Sequence, residues 1–292
     1  MKKFTLIVLF FFMVTSVFSQ ARLGITSSID WTSMLLSAEV TLDLESAGLR
    51  LPTGRTQGES ILNAGYFNLI RPGITAIQAD SSSTIADLIS RGEFSAADVD
   101  MLASQADSIP PAIRSDMRQM FASWTISLSS VSSPLLRRSS PAPIVRTLNP
   151  VSSPAYTGII VIASESLPIH GMRRSTLPVP CLFPKIWDSD MNLIYDRSML
   201  DLNINTMVRY STLQNIFANN PSGLSDQLRQ TVGDRPLRIF ARGVFGIKPT
   251  DLIIERSDAL LIISSEENRR LLSQGKVVFI LDESVLRISF ND

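Results

Sequence analysis

Two kinds of apolar pattern divide this chain. From Ser33 to Leu44 apolar and polar residues alternate, with Leu36, Ala38, Val40, Leu42 and Leu44 on one side and Ser37, Glu39, Thr41 and Asp43 on the other. A period of two over this length specifies a strand with one buried face. Met120, Ala122, Trp124, Ile126 and Leu128 repeat the pattern against Phe121, Ser123, Thr125 and Ser127. Thr157 to Ala163 (TGIIVIA) and Lys276 to Leu281 (KVVFIL) instead carry unbroken apolar runs, which mark strands covered on both faces.

Between the two alternating segments the period becomes helical. Ile61, Leu62, Ala64, Asn68 and Leu69 share a face from about Thr56 to Ile70, and Pro72-Gly73 is expected to end or kink that helix. Thr84 with Asp87, and Ser95 with Asp98, read as capping boxes. They open short helices to about Ser90 and Ser108, the second closed by Pro110-Pro111. The helices are expected on the apolar face shared by the two strands.

Residues 129–154 hold thirteen Ser or Pro in 26 positions, a composition that disfavours helix and central strand. No acid falls between Asp116 and Glu165, whereas Arg118, Arg137, Arg138 and Arg146 do. The segment reads as a solvated linker, or as a basic arm that grips an anionic envelope polymer through Arg137, Arg138 and Arg146.

Beyond the linker, Lys185-Ile186-Trp187 and Leu193-Ile194-Tyr195 flank Asp188 to Asn192 as a hairpin. Further strands are expected at Met207 to Tyr210, Leu237 to Val244, Asp251 to Glu255 and, as a last edge strand, Val285 to Phe290. Helices are expected at Leu224 to Val232, from Ser257 to Ile262, and from Ser265 to Gly275, the last with acids first and arginines later, as the helix dipole favours.

The first nineteen residues have the layout of an export signal. Lys2 and Lys3 precede an uncharged, mostly apolar run from Phe4 to Phe18, and Val17-Phe18-Ser19 suits a signal peptidase, with Gln20 following. Fifteen helical residues span roughly 22 Å, short of the ~30 Å hydrocarbon core. An uncleaved anchor is the alternative. No Cys follows the run, so it is not a lipoprotein signal, and no later segment is long and apolar enough to span a bilayer.

Chemistry-bearing residues are scarce. Lys plus Arg equals Asp plus Glu at 27 each, so no net field draws the chain to nucleic acid. One Cys and one His exclude an internal disulfide and a Cys- or His-rich metal site. Apolar neighbours Pro180, Leu182 and Phe183 point to burial of Cys181. Asp188-x-Asp190-x-Asn192 begins like a calcium loop, but Leu193 stands where Gly is required and Met199 where the bidentate acid belongs, so a hairpin turn explains it better. Gly54 to Ser60 lacks the Gly-Lys-Ser/Thr of a phosphate loop. His170 is the one candidate base; Ser166, Ser175 or Cys181 would have to be its nucleophile, and no spacing demands that. No catalytic residue, metal or cofactor is expected.

Tyr156-Thr157-Gly158-Ile159-Ile160, Phe183-Pro184-Lys185-Ile186-Trp187-Asp188, Leu193-Ile194-Tyr195, Asp251 to Ile254, Ser257-Asp258-Ala259 and Gly275 to Leu281 together resemble the FlgP-like exported bacterial envelope and motility lipoproteins. Weaker echoes lie at Ile29-Asp30-Trp31, Leu51 to Arg55 and Ala64 to Leu69, and the lipid-bearing Cys is missing. The resemblance implies a non-enzymatic, periplasmic or outer-membrane-associated structural protein that forms oligomers and is linked to flagellar motility.

The resulting reading is α+β: two small sheet-plus-helix domains, residues 20–128 and 155–292, joined by the Ser/Pro-rich linker 129–154 and preceded by a signal peptide, 1–19. Expected partners are further copies of the chain or another envelope protein, with contact to peptidoglycan or the outer membrane, and no nucleic acid. Intact-mass measurement on the chain recovered from the envelope fraction is expected to place the N terminus at Gln20. Recovery of Met1 in the cytosolic fraction would overturn export.

Overall fold

The computed structural model describes residues 23–136, 140–217 and 223–291; the leader, Arg137 and Arg138 lie outside them. The first half contains β1 (Leu23–Asp30), β2 (Leu35–Asp43), α1 (Arg55–Thr75), α2 (Ile85–Ser90), α3 (Ala96–Ser104), β3 (Asp107–Ile113), β4 (Gln119–Ser127) and α4 (Leu128–Leu135). The alternating segments become β2 and β4, paired antiparallel from Leu35↔Ser127 to Asp43↔Gln119. Their apolar sides are buried under α1 through Leu62, Tyr66, Ile70 and Ile74, and Tyr66 stacks on Trp124 at 4.2 Å. Both capping boxes are present, Thr84 with Asp87 and Ser95 with Asp98.

Pro72 does not stop α1, which runs on to Thr75. The ring costs the helix one hydrogen bond, while continuation buries Ile74, and Ile77 just beyond. Likewise Pro110-Pro111 does not close a helix at Ser108: α3 ends at Ser104 and the prolines sit in β3, at a register shift between Ile109 and Ala112. An edge strand tolerates proline because its outer N–H groups need no sheet partner.

The second half contains β5 (Ile159–Ala163), β6 (Leu167–Pro168), β7 (Ser175–Thr176), β8 (Ile186–Asp188), β9 (Leu193–Tyr195), β10 (Arg209–Ser211), α5 (Asp226–Val232), β11 (Leu237–Phe240), β12 (Gly243–Phe245), β13 (Asp251–Ile254), α6 (Arg256–Ile263), α7 (Glu266–Ser273), β14 (Val277–Leu281), α8 (Glu283–Leu286) and β15 (Arg287–Asn291). A parallel sheet has the order β10-β14-β5-β11, and a mixed sheet the order β12-β13-β8-β9. The strand expected from Leu237 to Val244 is divided between them: Ala241 N still bonds Ile162 O, but Arg242 N bonds Ile253 O.

The unbroken apolar runs are covered on both sides, as their composition requires. In β5, Ile159, Val161 and Ala163 join the main core, while Ile160 and Ile162 join a second cluster with Leu224, Leu228 and Val232. In β14, Val277, Phe279 and Leu281 face the first cluster and Val278 and Ile280 the second.

Two findings change the expected domain layout. β15 does not complete the second domain; it crosses back and pairs antiparallel with β1, giving a five-stranded sheet of order β15-β1-β2-β4-β3. Its partner β1 alternates Ile25, Ser27 and Ile29 inward, so its free side needs a strand. The segment expected as a solvated linker begins as α4, whose Leu128 and Val131 are buried. Its remainder is fastened to the second domain by Ala142 N to Ser198 O (2.7 Å), Val151 N to Ser264 Oγ (3.0 Å) and Ser153 Oγ to Leu261 O (2.8 Å). The domains also share backbone bonds from Leu182 N to Gln78 O, Phe183 N to Ala79 O and Lys248 N to Ser81 O, and Trp31 meets Tyr210 edge-on at 5.7 Å.

The buried Asn268 closes this assembly. Its Oδ1 accepts from Tyr156 N, and its Nδ2 lies 3.0 Å from Ser153 Oγ, Pro154 O and Leu261 O. Asn268→Ala leaves those buried groups unpaired and is expected to cost about 2–3 kcal/mol in urea unfolding. A change within about 0.5 kcal/mol would show that the network does not hold the connection.

Candidate functional site

Of the three arginines singled out in the sequence, only Arg146 lies among the described residues. It is exposed on the extended segment that α4 leads into. It borders two shallow clefts. One, of about 330 Å³, is lined by Thr147, Asn149, Asn192 and Arg256; the other, of about 230 Å³, by Pro143, Asp201, Arg269 and Arg270.

The neighbouring cations are already occupied. Arg270 pairs with Glu266, Arg269 Nη1 donates to Ile263 O, and Arg256 pairs with Asp188 and reaches Asp190. Arg146 has no ion-pair partner among the described residues. Among the described residues the arrangement offers one guanidinium without an ion-pair partner, flanked by amide and hydroxyl groups, chemistry suited to holding an anion or a hydroxylated chain.

The calcium-like motif is a satisfied hairpin turn between β8 and β9. Asp188 is buried, and its Oδ1 accepts from Asp190 N (3.0 Å) and Asn192 N (2.8 Å). Asn192 Nδ2 reaches both oxygens and Arg256 Nη1 takes Oδ2. Burial opposes the charge, yet the Asn192 and Arg256 bonds outweigh it and hold the carboxyl below its usual range. Among the described residues no three His, Cys, Asp or Glu side chains gather as metal ligands.

His170 and Cys181 are placed apart in environment. His170 is exposed in the turn after β6; its N–H donates to Val244 O at 2.8 Å, and its ring meets Phe245 edge-on at 5.9 Å. Cys181 is buried, its backbone clasped by the Tyr210 hydroxyl, which accepts from Cys181 N at 3.0 Å and donates to Cys181 O at 2.7 Å. Burial pushes the thiol well above its usual range, so it stays protonated and packs as a small hydrophobe.

Asp251, read in the sequence only as the start of a strand, is the buried acid that pattern reasoning missed. It accepts from Lys185 N, Trp187 Nε1 and Thr250 Oγ1, each at 3.2 Å, and burial raises its carboxyl pKa. An acid at the head of an apolar run was the available signal. The bonds pin Trp187 and the start of β8 to β13.

Residues 22–134 match the family model of the Treponema pallidum Tp0624 N-terminal domain, and residues 158–283 match that of the Tp0624 second domain. The chain thus has this domain pair in the same order. The first match ends with α4, and the second stops before β15, the strand that belongs to the first sheet. No curated protein matches the chain.

Arg256→Met removes a cationic partner from a buried carboxylate, and is expected to destabilise by about 1–3 kcal/mol at pH 7, less than for a fully enclosed pair because Arg256 is partly exposed. Because the folded pKa of Asp188 is depressed, its contribution is present above about pH 4 and is lost as pH falls through the folded value. The effect of the variant, read by urea unfolding at neutral pH and in acid, is therefore expected to shrink as the pH falls through the folded value. An equal loss at both pH values would contradict this account.

Proposed function

We propose that this chain is an exported, non-enzymatic structural protein of the cell envelope, periplasmic or outer-membrane-associated, that works by assembling with further copies of itself. The FlgP-like resemblance extends the proposal to a role in motility. The observation that carries the reading is the free outer edge of β15. Its inner edge is taken by β1, and Ile288, opposite the buried Ile29, is still 37% exposed. At the other side of the sheet β3 carries Pro110 and Pro111 and a register shift, which discourage strand addition. β15 has no proline and ends in alternating Ile288, Ser289 and Phe290, so an added strand would gain backbone bonds and cover a half-open apolar row.

A second reading, grip on an anionic envelope polymer such as peptidoglycan through Arg137, Arg138 and Arg146, is favoured by the free position of Arg146 between two clefts. Its test is loss of cosedimentation with sacculi after alanine replacement of all three.

For assembly, light scattering of the purified chain at high concentration is expected to give at least twice the monomer mass. Ile288→Lys, placing a charge on the open edge, is expected to return it to monomer while circular dichroism shows the fold retained. A parent that is strictly monomeric sinks the proposal.

A further inference from the structure

The turn after β6 and the turn after β12 form one surface. Ile169 and Val244 are bridged in parallel, so the two strands run the same way and their following turns emerge at the same end. His170 N bonds Val244 O, and the His170 ring meets Phe245, which in turn meets Trp187 edge-on at 5.7 Å. In the turn that follows each side of the bridge, three residues on, stands a large aliphatic side chain in solvent: Met172, 51% exposed, and Ile247, 81% exposed. Arg173 and Arg174 follow Met172 in the chain and Lys248 follows Ile247, all exposed, and none has an ion-pair partner among the described residues. Two carboxylates bonded into the neighbouring elements are engaged: Asp251 is buried and accepts from Lys185 N and Trp187 Nε1, and Asp80, half-buried, holds Ser82 N and Oγ with its Oδ1.

We propose that these paired turns dock the protein on an anionic lipid surface. The cations suit headgroup phosphates, Phe245 and Trp187 suit the interfacial layer, and Met172 and Ile247 reach the acyl boundary. A hydrated polymer would answer the charges but offers no apolar medium for two aliphatic tips; a bilayer answers both. The two tips stand in the turns that leave one bridge, so a single surface can meet both. The inference rests on the exported reading only for which membrane the chain meets, and it uses no residue of β15.

The test is vesicle flotation of the full chain and of variants with the same N terminus, using phosphatidylcholine vesicles with and without phosphatidylglycerol. The parent is expected to bind the anionic vesicles about tenfold or more over the neutral ones. Met172→Glu with Ile247→Glu, and separately Arg173→Ala with Arg174→Ala and Lys248→Ala, are each expected to lower that binding about tenfold or more. All five positions are exposed, so unchanged circular dichroism and oligomer mass are expected in both variants. A parent that binds neither vesicle, variants that float like the parent, or retention on sacculi through these same residues would each overturn the proposal. Loss of self-association alone, read by light scattering, would leave the flotation result standing.

Discussion

The pairing of the last strand with the first carries this architecture. Thr26 to Asp30 lie against Asn291 to Arg287, with the Arg287 guanidinium 3.3 Å from the Asp30 carboxylate. β1 presents Ile25 and Ile29 to the core but has β2 on only one side, so the sheet is unfinished until the chain has passed through its whole second half. The two domains are therefore not independent beads. The first cannot complete its five strands without residues made last, and Trp31 N to Leu286 O adds a further bond at the same junction.

The parallel sheet of the second half imposes a complementary demand. β5 and β14 bury every residue, which requires a layer on each side. α5 supplies one layer and is seated by the Thr157-Gly158 pair. Thr157 Oγ1 donates to Val232 O at 2.7 Å and accepts from Arg235 N at 3.0 Å. A Cβ on Gly158 would stand 2.5 Å from Val232 Cα, so only glycine admits this approach of helix end to strand. Asn268 then ties the incoming connection to α6 and α7. Thr157, Gly158 and Asn268 thus have identifiable packing and hydrogen-bonding duties.

Charge follows the same division. Acids that look like a site in the sequence, Asp188 above all, are consumed in holding turns and strands together, because a buried carboxylate must be matched by donors. Among the described residues, Arg146, Arg173, Arg174 and Lys248 have no ion-pair partner and are on the surface. Satisfied charge is thus inside and unpaired charge outside, as the cost of burying an unmatched ion requires.

Much of this was legible in residue order because it depends on local period and local chemistry. The alternation that defines β2 and β4, the unbroken runs of β5 and β14, both capping boxes, the β8–β9 hairpin and the burial of Cys181 follow from neighbours within a few positions. Proline in α1 and β3 misled because its local penalty was outweighed by distant gains, the burial of Ile74 and a place at a sheet edge. Asp251 stayed hidden because its donors, Lys185 and Trp187, are more than sixty residues away. The sequence by itself determined the strands with a clear period, β2, β4, β5 and β14, the two capped helices, and how many of their faces must be covered, since side-chain period and polarity set that locally. Only the tertiary structure decided the pairing of the end of the chain with its beginning, Arg287–Asn291 completing the first sheet, because pairing between distant segments is settled by the shape and unmet backbone bonds of surfaces that exist only once the rest has folded.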